Sequence, residues 1–142
     1  MKHILIPTKL DPIARAILTE NGFEVAQDPD RALADLARTH PETEALIVRS
    51  DPVDSAVLEA FPNLKLIVRA GAGYNTIDIN AARRRGVDVM NTPGANANAV
   101  AEEVFALALA HYRHLIPAEQ SARNGLWEKK KFMGRELHGK TI

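Results

Sequence analysis

Two segments of this chain combine arginine with small residues in a way suited to holding a small anion. Residues 69–78 read Arg-Ala-Gly-Ala-Gly-Tyr-Asn-Thr-Ile-Asp. Gly71 and Gly73 leave room for backbone N–H groups to approach a carboxylate or phosphate, and a helix starting after them would add the positive end of its dipole. The run is not a dinucleotide fingerprint, because GxGxxG needs a third glycine where Thr76 stands. Glycines also serve tight strand-to-helix turns that bind nothing. The second segment, Val48-Arg49-Ser50-Asp51, offers a guanidinium and a hydroxyl, and guanidinium matches carboxylate and phosphate bidentately. A surface ion pair from Arg49 to Asp51 or Asp54 is the plainer alternative.

Three further groups need weighing. Asn96 and Asn98 precede an alanine-rich run, where asparagine commonly caps a helix. Between Arg123 and Lys140, six bases (Lys129, Lys130, Lys131 and Arg135 among them) face two acids. Such a run is either a solvated face or a site for an anionic ligand. His111 and His114 are spaced to share a helix face, but no third ligand stands at a telling interval, so a metal is not expected. No nucleophile elbow, P-loop or HExxH motif is present.

The elements that must position these residues are legible. Five short aliphatic runs, His3–Ile6, Phe23–Ala26, Ala45–Val48, Leu64–Val68 and Val87–Met90, are nearly continuous in apolar character. Strands covered on both faces read this way. Helical segments lie between them: Pro12–Glu20 behind Asp11 as N-cap, Arg31–Arg38 behind Asp30, Asp54–Ala60, and Asp78–Arg85. Asn21-Gly22, His40-Pro41, Pro62-Asn63 and Gly86 punctuate their ends. The alternation predicts an α/β fold, a flavodoxin-like doubly wound parallel sheet of five strands in the order 2-1-3-4-5. Ligands of such sheets sit beyond the carboxyl ends of the strands, which is where both arginine segments fall. A long helix over 97–115, apolar around much of its circumference, is expected to run between domains. A short helix over 117–124 follows, and 138–142 reads as a turn entering another strand.

Composition bounds the possibilities. The 142 residues carry 18 Lys+Arg against 18 Asp+Glu, so formal net charge is +0, which speaks against general nucleic-acid binding. With no cysteine, disulfides, cysteine-ligated metals and thiol nucleophiles are excluded. The apolar stretch from Val100 is broken at once by Glu102 and Glu103, far short of the roughly 20 residues of a membrane span. No signal-peptide pattern opens the chain. A cytoplasmic protein with no membrane partner is expected.

Taken together, residues 69–78, the strand end Val89-Met90-Asn91-Thr92-Pro93, Ala101-Glu102 and Asn124-Gly125-Leu126-Trp127 resemble the D-isomer-specific 2-hydroxyacid dehydrogenases. Residues 127–137 with Gly139-Lys140-Thr141 are similar to the branch of that family acting on D-3-phosphoglycerate in serine biosynthesis. The resemblance implies a substrate-binding α/β domain over 1–96, then a crossing helix and linker over 97–142 leading to an NAD-binding Rossmann domain outside this chain. It implies NAD as cofactor, bound mainly by that other domain, and catalytic Arg, Glu and His beyond Ile142, so that the chain by itself is inactive. Arg49, Ser50, Ala72, Gly73 and Asn96 would line the substrate side of the cleft, with Ala72 also near the nicotinamide. Lys130, Lys131 and Arg135 would supply charge for a phosphate, from a neighbouring subunit of a homodimer or homotetramer. Asp51 stands where some relatives carry a second arginine, which leaves open a relative acting on glyoxylate, hydroxypyruvate or another 2-keto acid. A free-standing, non-catalytic flavodoxin-like binding module is the alternative from another class.

Overall fold

A computed structural model describes residues 2–141, and the chain divides after Ala95 into two compact units. The first unit holds β1 (His3–Ile6), α1 (Pro12–Glu20), β2 (Glu24–Gln27), α2 (Leu33–Thr39), β3 (Ala45–Val48), α3 (Ser55–Ala60), β4 (Leu66–Arg69), α4 (Ile79–Arg84) and β5 (Asp88–Asn91). The second holds α5 (Ala97–Tyr112) and α6 (Leu115–Arg123). All strand pairs are parallel, in the order β2-β1-β3-β4-β5, as the alternation of elements predicts.

Strand side chains divide between two faces with period two. Leu5, Leu46, Val48 and Ile67 meet Leu36, Leu58, Phe61, Ala81 and Ala82 from α2, the α3 region and α4 in the main core. Ile4, Ile6 and Ala45 form a smaller cluster with Leu18, Phe23 and Val25 on the side of α1. Both faces of the central strands are thus occupied, which explains their lack of polar alternation.

Local chemistry sets most boundaries. Asp11 caps α1 by accepting from the Ile13 N–H (2.9 Å), with Pro12 in the first turn. Asp54 accepts from Val57 N–H (2.9 Å) at α3, so α3 starts at Ser55. Helix α2 begins at Leu33, not Arg31, and no side chain caps it. Asp30 and Asp28 instead face Lys9 (3.7 Å) and Arg31 (3.6 Å). Strand β4 starts at Leu66 because Leu64 N–H is held in a turn by the Phe61 carbonyl (3.2 Å).

The second unit departs further from expectation. The long helix ends at Tyr112, because His114 adopts left-handed backbone geometry (φ 51°) and α6 starts behind it. Pro117 is accommodated in the first turn of α6, where its missing N–H would have had no helical partner. His111 and His114 therefore do not share a helix. No residue of α5 is buried. The strand expected over 138–142 does not form in the described part, 138–141; a strand requires a neighbouring backbone to pair with, and Ile142 lies outside the described residues. Among the described residues no helix is long and apolar enough to cross a membrane.

One ionic tie at the amino ends of the strands has a measurable consequence. Glu44 accepts from Lys65 Nζ (2.6 Å) and from the Lys2 N–H (2.8 Å). The Lys65 hydrogen bond, and after it that of Lys2, pull the Glu44 carboxyl down to about 2. A carboxyl whose folded pKa is depressed contributes stability above its unfolded value near 4.5, lost as pH falls toward 2. Glu44→Gln is therefore expected to lower the urea midpoint at pH 7, and the gap from the parent chain should close between about pH 4.5 and pH 2. A gap independent of pH would remove this tie as its cause.

Candidate ligand-binding loops at the strand ends

Register brings the carboxyl ends of three strands to one level: Val48 pairs with Arg69, and Arg69 with Asn91. The loops that leave them are stitched together. Arg69 Nε donates to the Arg49 carbonyl (2.9 Å), and Ala70 N–H to the Val48 carbonyl (2.8 Å). Asn91 Nδ2 donates to the Ala72 carbonyl (2.7 Å), and Thr92 N–H to the Gly71 carbonyl (3.1 Å). The loop over 70–73 is thus fixed by groups from its neighbours on both sides.

Gly71 provides space for the Arg69 side chain, not an unusual backbone angle, since its φ is not positive. A Cβ at that position would lie 1.7 Å from Arg69 Nη1, so the absence of a side chain is what lets the guanidinium lie across the loop. Gly71 N–H is already spent on the Arg69 carbonyl (2.8 Å). The N–H groups of Ala72 and Gly73, by contrast, donate to nothing among the described residues. Sequence reasoning expects the α4 dipole to assist an anion here, and the structure corrects this. Helix α4 begins only at Ile79, and the Asp78 carboxylate takes its Ala81 N–H (2.8 Å), so its amino end already holds a negative charge.

Arg49 and Ser50 are exposed at the end of β3. The ion pair from Arg49 to Asp51 or Asp54 is not formed: Asp51 accepts from the Arg49 backbone N–H (3.2 Å), and Asp54 caps α3. Arg49, Ser50, Ala72 and Gly73 therefore belong to one cluster of loops, and Arg69 and Asn91 join them as the side chains that hold it. The sequence pointed to Arg69 as the first residue of the glycine-rich segment and to Asn91 as part of a strand end. Their interloop role follows from a parallel register that no single segment reveals. Thr76 Oγ1 is also buried there without a partner among the described residues.

The remaining candidates lie in the second unit. Asn96 occupies the cap position of α5, but its side chain makes no capping bond. In the basic segment Lys131 Nζ sits 3.2 Å from both Glu128 oxygens and over the Phe132 ring (5.5 Å). Ser121 Oγ donates to Glu128 (2.8 Å), and this bond, then Lys131, lowers the Glu128 carboxyl below the ordinary range. Lys130 and Arg135 have no ion-pair partner among the described residues. Gly134 packs so closely that a Cβ would meet the Tyr112 carbonyl at 2.4 Å, which fixes the turn leading to Arg135 against the end of α5. No group of three or more His, Cys, Asp or Glu able to hold a metal occurs among the described residues.

Residues 4–127 match the family model for the D-isomer specific 2-hydroxyacid dehydrogenase catalytic domain. The chain is 44% identical over 139 residues to a D-3-phosphoglycerate dehydrogenase of Archaeoglobus fulgidus, covering 97% of this chain and 26% of that protein. It is 46% identical over 109 residues to a hydroxypyruvate reductase of Thermotoga maritima, covering 76% and 36% respectively. Its fold superposes on NAD+-bound 3-phosphoglycerate dehydrogenase of Entamoeba histolytica with a TM-score of 0.70 at 34% identity, covering 79% of this chain and 39% of that one. The chain spans about a quarter to a third of the length of these curated relatives. Family match, whole-chain identity and sheet order agree: the chain belongs to the D-isomer specific 2-hydroxyacid dehydrogenase family.

Proposed function

We propose that this chain is the substrate-holding part of an NAD-dependent oxidoreductase that interconverts D-3-phosphoglycerate and 3-phosphohydroxypyruvate. The observation that carries this reading is the pair of free N–H groups at Ala72 and Gly73, fixed at the same level of the sheet as Arg49. Two N–H donors and a guanidinium suit the carboxylate and the C2 oxygen of a 2-hydroxy acid. Ser50 and Asn96 add neutral donors, and Lys130, Lys131 and Arg135 are assigned to the phosphate, from a neighbouring subunit of a homodimer or homotetramer. Lys131, shared with Glu128, is the weakest of the three.

The cofactor fits these residues at one point only. Ala72 presents a small side chain, which leaves room for an approach by the nicotinamide end while its N–H is assigned to the substrate. The Asp78 carboxylate at α4 excludes the pyrophosphate from that helix terminus. NAD, when bound, supplies the hydride acceptor. The part of this chain is to orient the substrate carboxylate, spread its charge and help exclude water. The proton-accepting group and the rest of the cofactor site are assigned to polypeptide beyond the chain.

A second reading, a reductase of glyoxylate or hydroxypyruvate in the same family, is favoured by Asp51. Its carboxylate is fixed in the β3 loop by Arg49 N–H, an unhelpful neighbour for a phosphate. A panel of 2-keto acids with and without phosphate, assayed with NADH, separates the two. The chain by itself should turn over none of them. The longer enzyme that contains it should prefer 3-phosphohydroxypyruvate, and a preference for unphosphorylated acids would establish the second reading instead.

A further inference from the structure

Strand β5 is an edge of the sheet, since it pairs only with β4 among the described residues. Asp88 N–H donates to the Lys65 carbonyl on the β4 side (2.9 Å). Successive residues of a strand present their backbone groups to opposite sides, so Val89 and Asn91 turn their N–H and carbonyl groups outward. A groove of about 530 Å³ runs along this edge. All six residues from 86 to 91 form one wall, Ile79, Asn80 and Arg83 of α4 form the other, and Tyr74 closes the end. An edge strand beside a helix is the arrangement by which an extended peptide is added to a sheet.

The side chains of the groove specify the occupant. Arg83 stands on α4 near the start of β5 and has no ion-pair partner among the described residues. Ile79 and Tyr74, both about half exposed, lie toward the other end. Ile79 and Arg83 are four residues apart on a helix, about 6 Å. Alternate residues of an extended strand are separated by about 6.6 Å and point to the same side.

We propose that this groove receives an extended peptide segment by strand addition to β5, with an acidic residue against Arg83 and an apolar residue two positions away against Ile79 and Tyr74. A second copy of the chain is the poorer occupant. Two-fold pairing of β5 with β5 would place two Arg83-Arg84-Arg85 clusters on the same face of the joined sheet.

The test uses the full chain and fluorescein-labelled hexapeptides centred on Glu-Thr-Val and on Val-Thr-Glu, one for each strand direction, read by fluorescence polarisation. One of the two should bind at least about tenfold more tightly than its counterpart with lysine in place of glutamate. Arg83→Glu should reverse that preference. N-methylation of the peptide amides should abolish binding without any change to the protein, and Val89→Pro, which removes an outward N–H and no β4 bond, should do the same. Equal affinity for the glutamate and lysine peptides, indifference to N-methylation, or failure of both peptides to bind would overturn the proposal. So would a dimer in sedimentation that Val89→Pro dissolves, since the edge would then be occupied by a second copy.

Discussion

Phe61→Ala is expected to destabilise the first unit by about 3–5 kcal/mol, whereas Met90→Ala should change stability by less than about 1 kcal/mol. Phe61 is completely buried and is the largest of the fully buried side chains. It sits in the cluster that joins α2, α3 and α4 to Leu46, Val48 and Ile67. Its removal leaves a cavity that such close packing cannot collapse. Met90, 58% exposed on β5, leaves no comparable void. Amide hydrogen exchange of β3 and β4 is the appropriate measurement, because it follows the strands whose ends carry the loops. A loss of 3 kcal/mol corresponds to exchange about a hundredfold faster or more. Equal acceleration by the two substitutions would mean that the cluster around Phe61 is not what holds these strands.

The same packing explains what could be read from the sequence. The five strands are short and apolar on both faces, and the sheet order follows from their alternation with helices. Asp11, Asp54 and Asp78 mark their helix starts through side-chain chemistry that is local in sequence. Where partners are distant, local reading fails. Asp30 looks like a cap but faces Lys9, and α2 begins later without a side-chain cap. The end of α5 is set by the left-handed backbone of His114; histidine enters that region more often than most side chains but still in a small minority of cases, so residue type alone does not mark the break. At the candidate site the arginine-and-glycine segments were visible from their composition. The role of Gly71 as space for Arg69, and the occupation of the α4 terminus by Asp78, depend on side-chain positions that spacing does not encode.

Arg49→Glu, in the active enzyme of which this chain is proposed to form a part, is expected to raise KM for the keto acid by about a hundredfold or more while changing kcat less. A hydrogen bond to a charged group contributes about 1.5–3 kcal/mol, and the reversed charge adds repulsion to its loss. An interaction made equally with bound substrate and transition state appears in KM. Arg49→Lys should recover part of the loss, because it restores a point charge without the two-pronged geometry. Arg69→Met provides the contrast. Arg69 holds the Arg49 carbonyl through Nε, so if it acts through that bond its removal should cost one ordinary hydrogen bond, about 0.5–1.5 kcal/mol, or a two- to twelvefold effect. Because that bond fixes the backbone from which Arg49 projects, the two substitutions should be non-additive: with Glu at position 49, losing Arg69 should matter little. Steady-state kinetics on the two single variants and the double variant measures this directly. An unchanged KM in Arg49→Glu removes Arg49 from the substrate site. Strict additivity would mean that Arg69 acts on the substrate by a separate route and not by positioning Arg49.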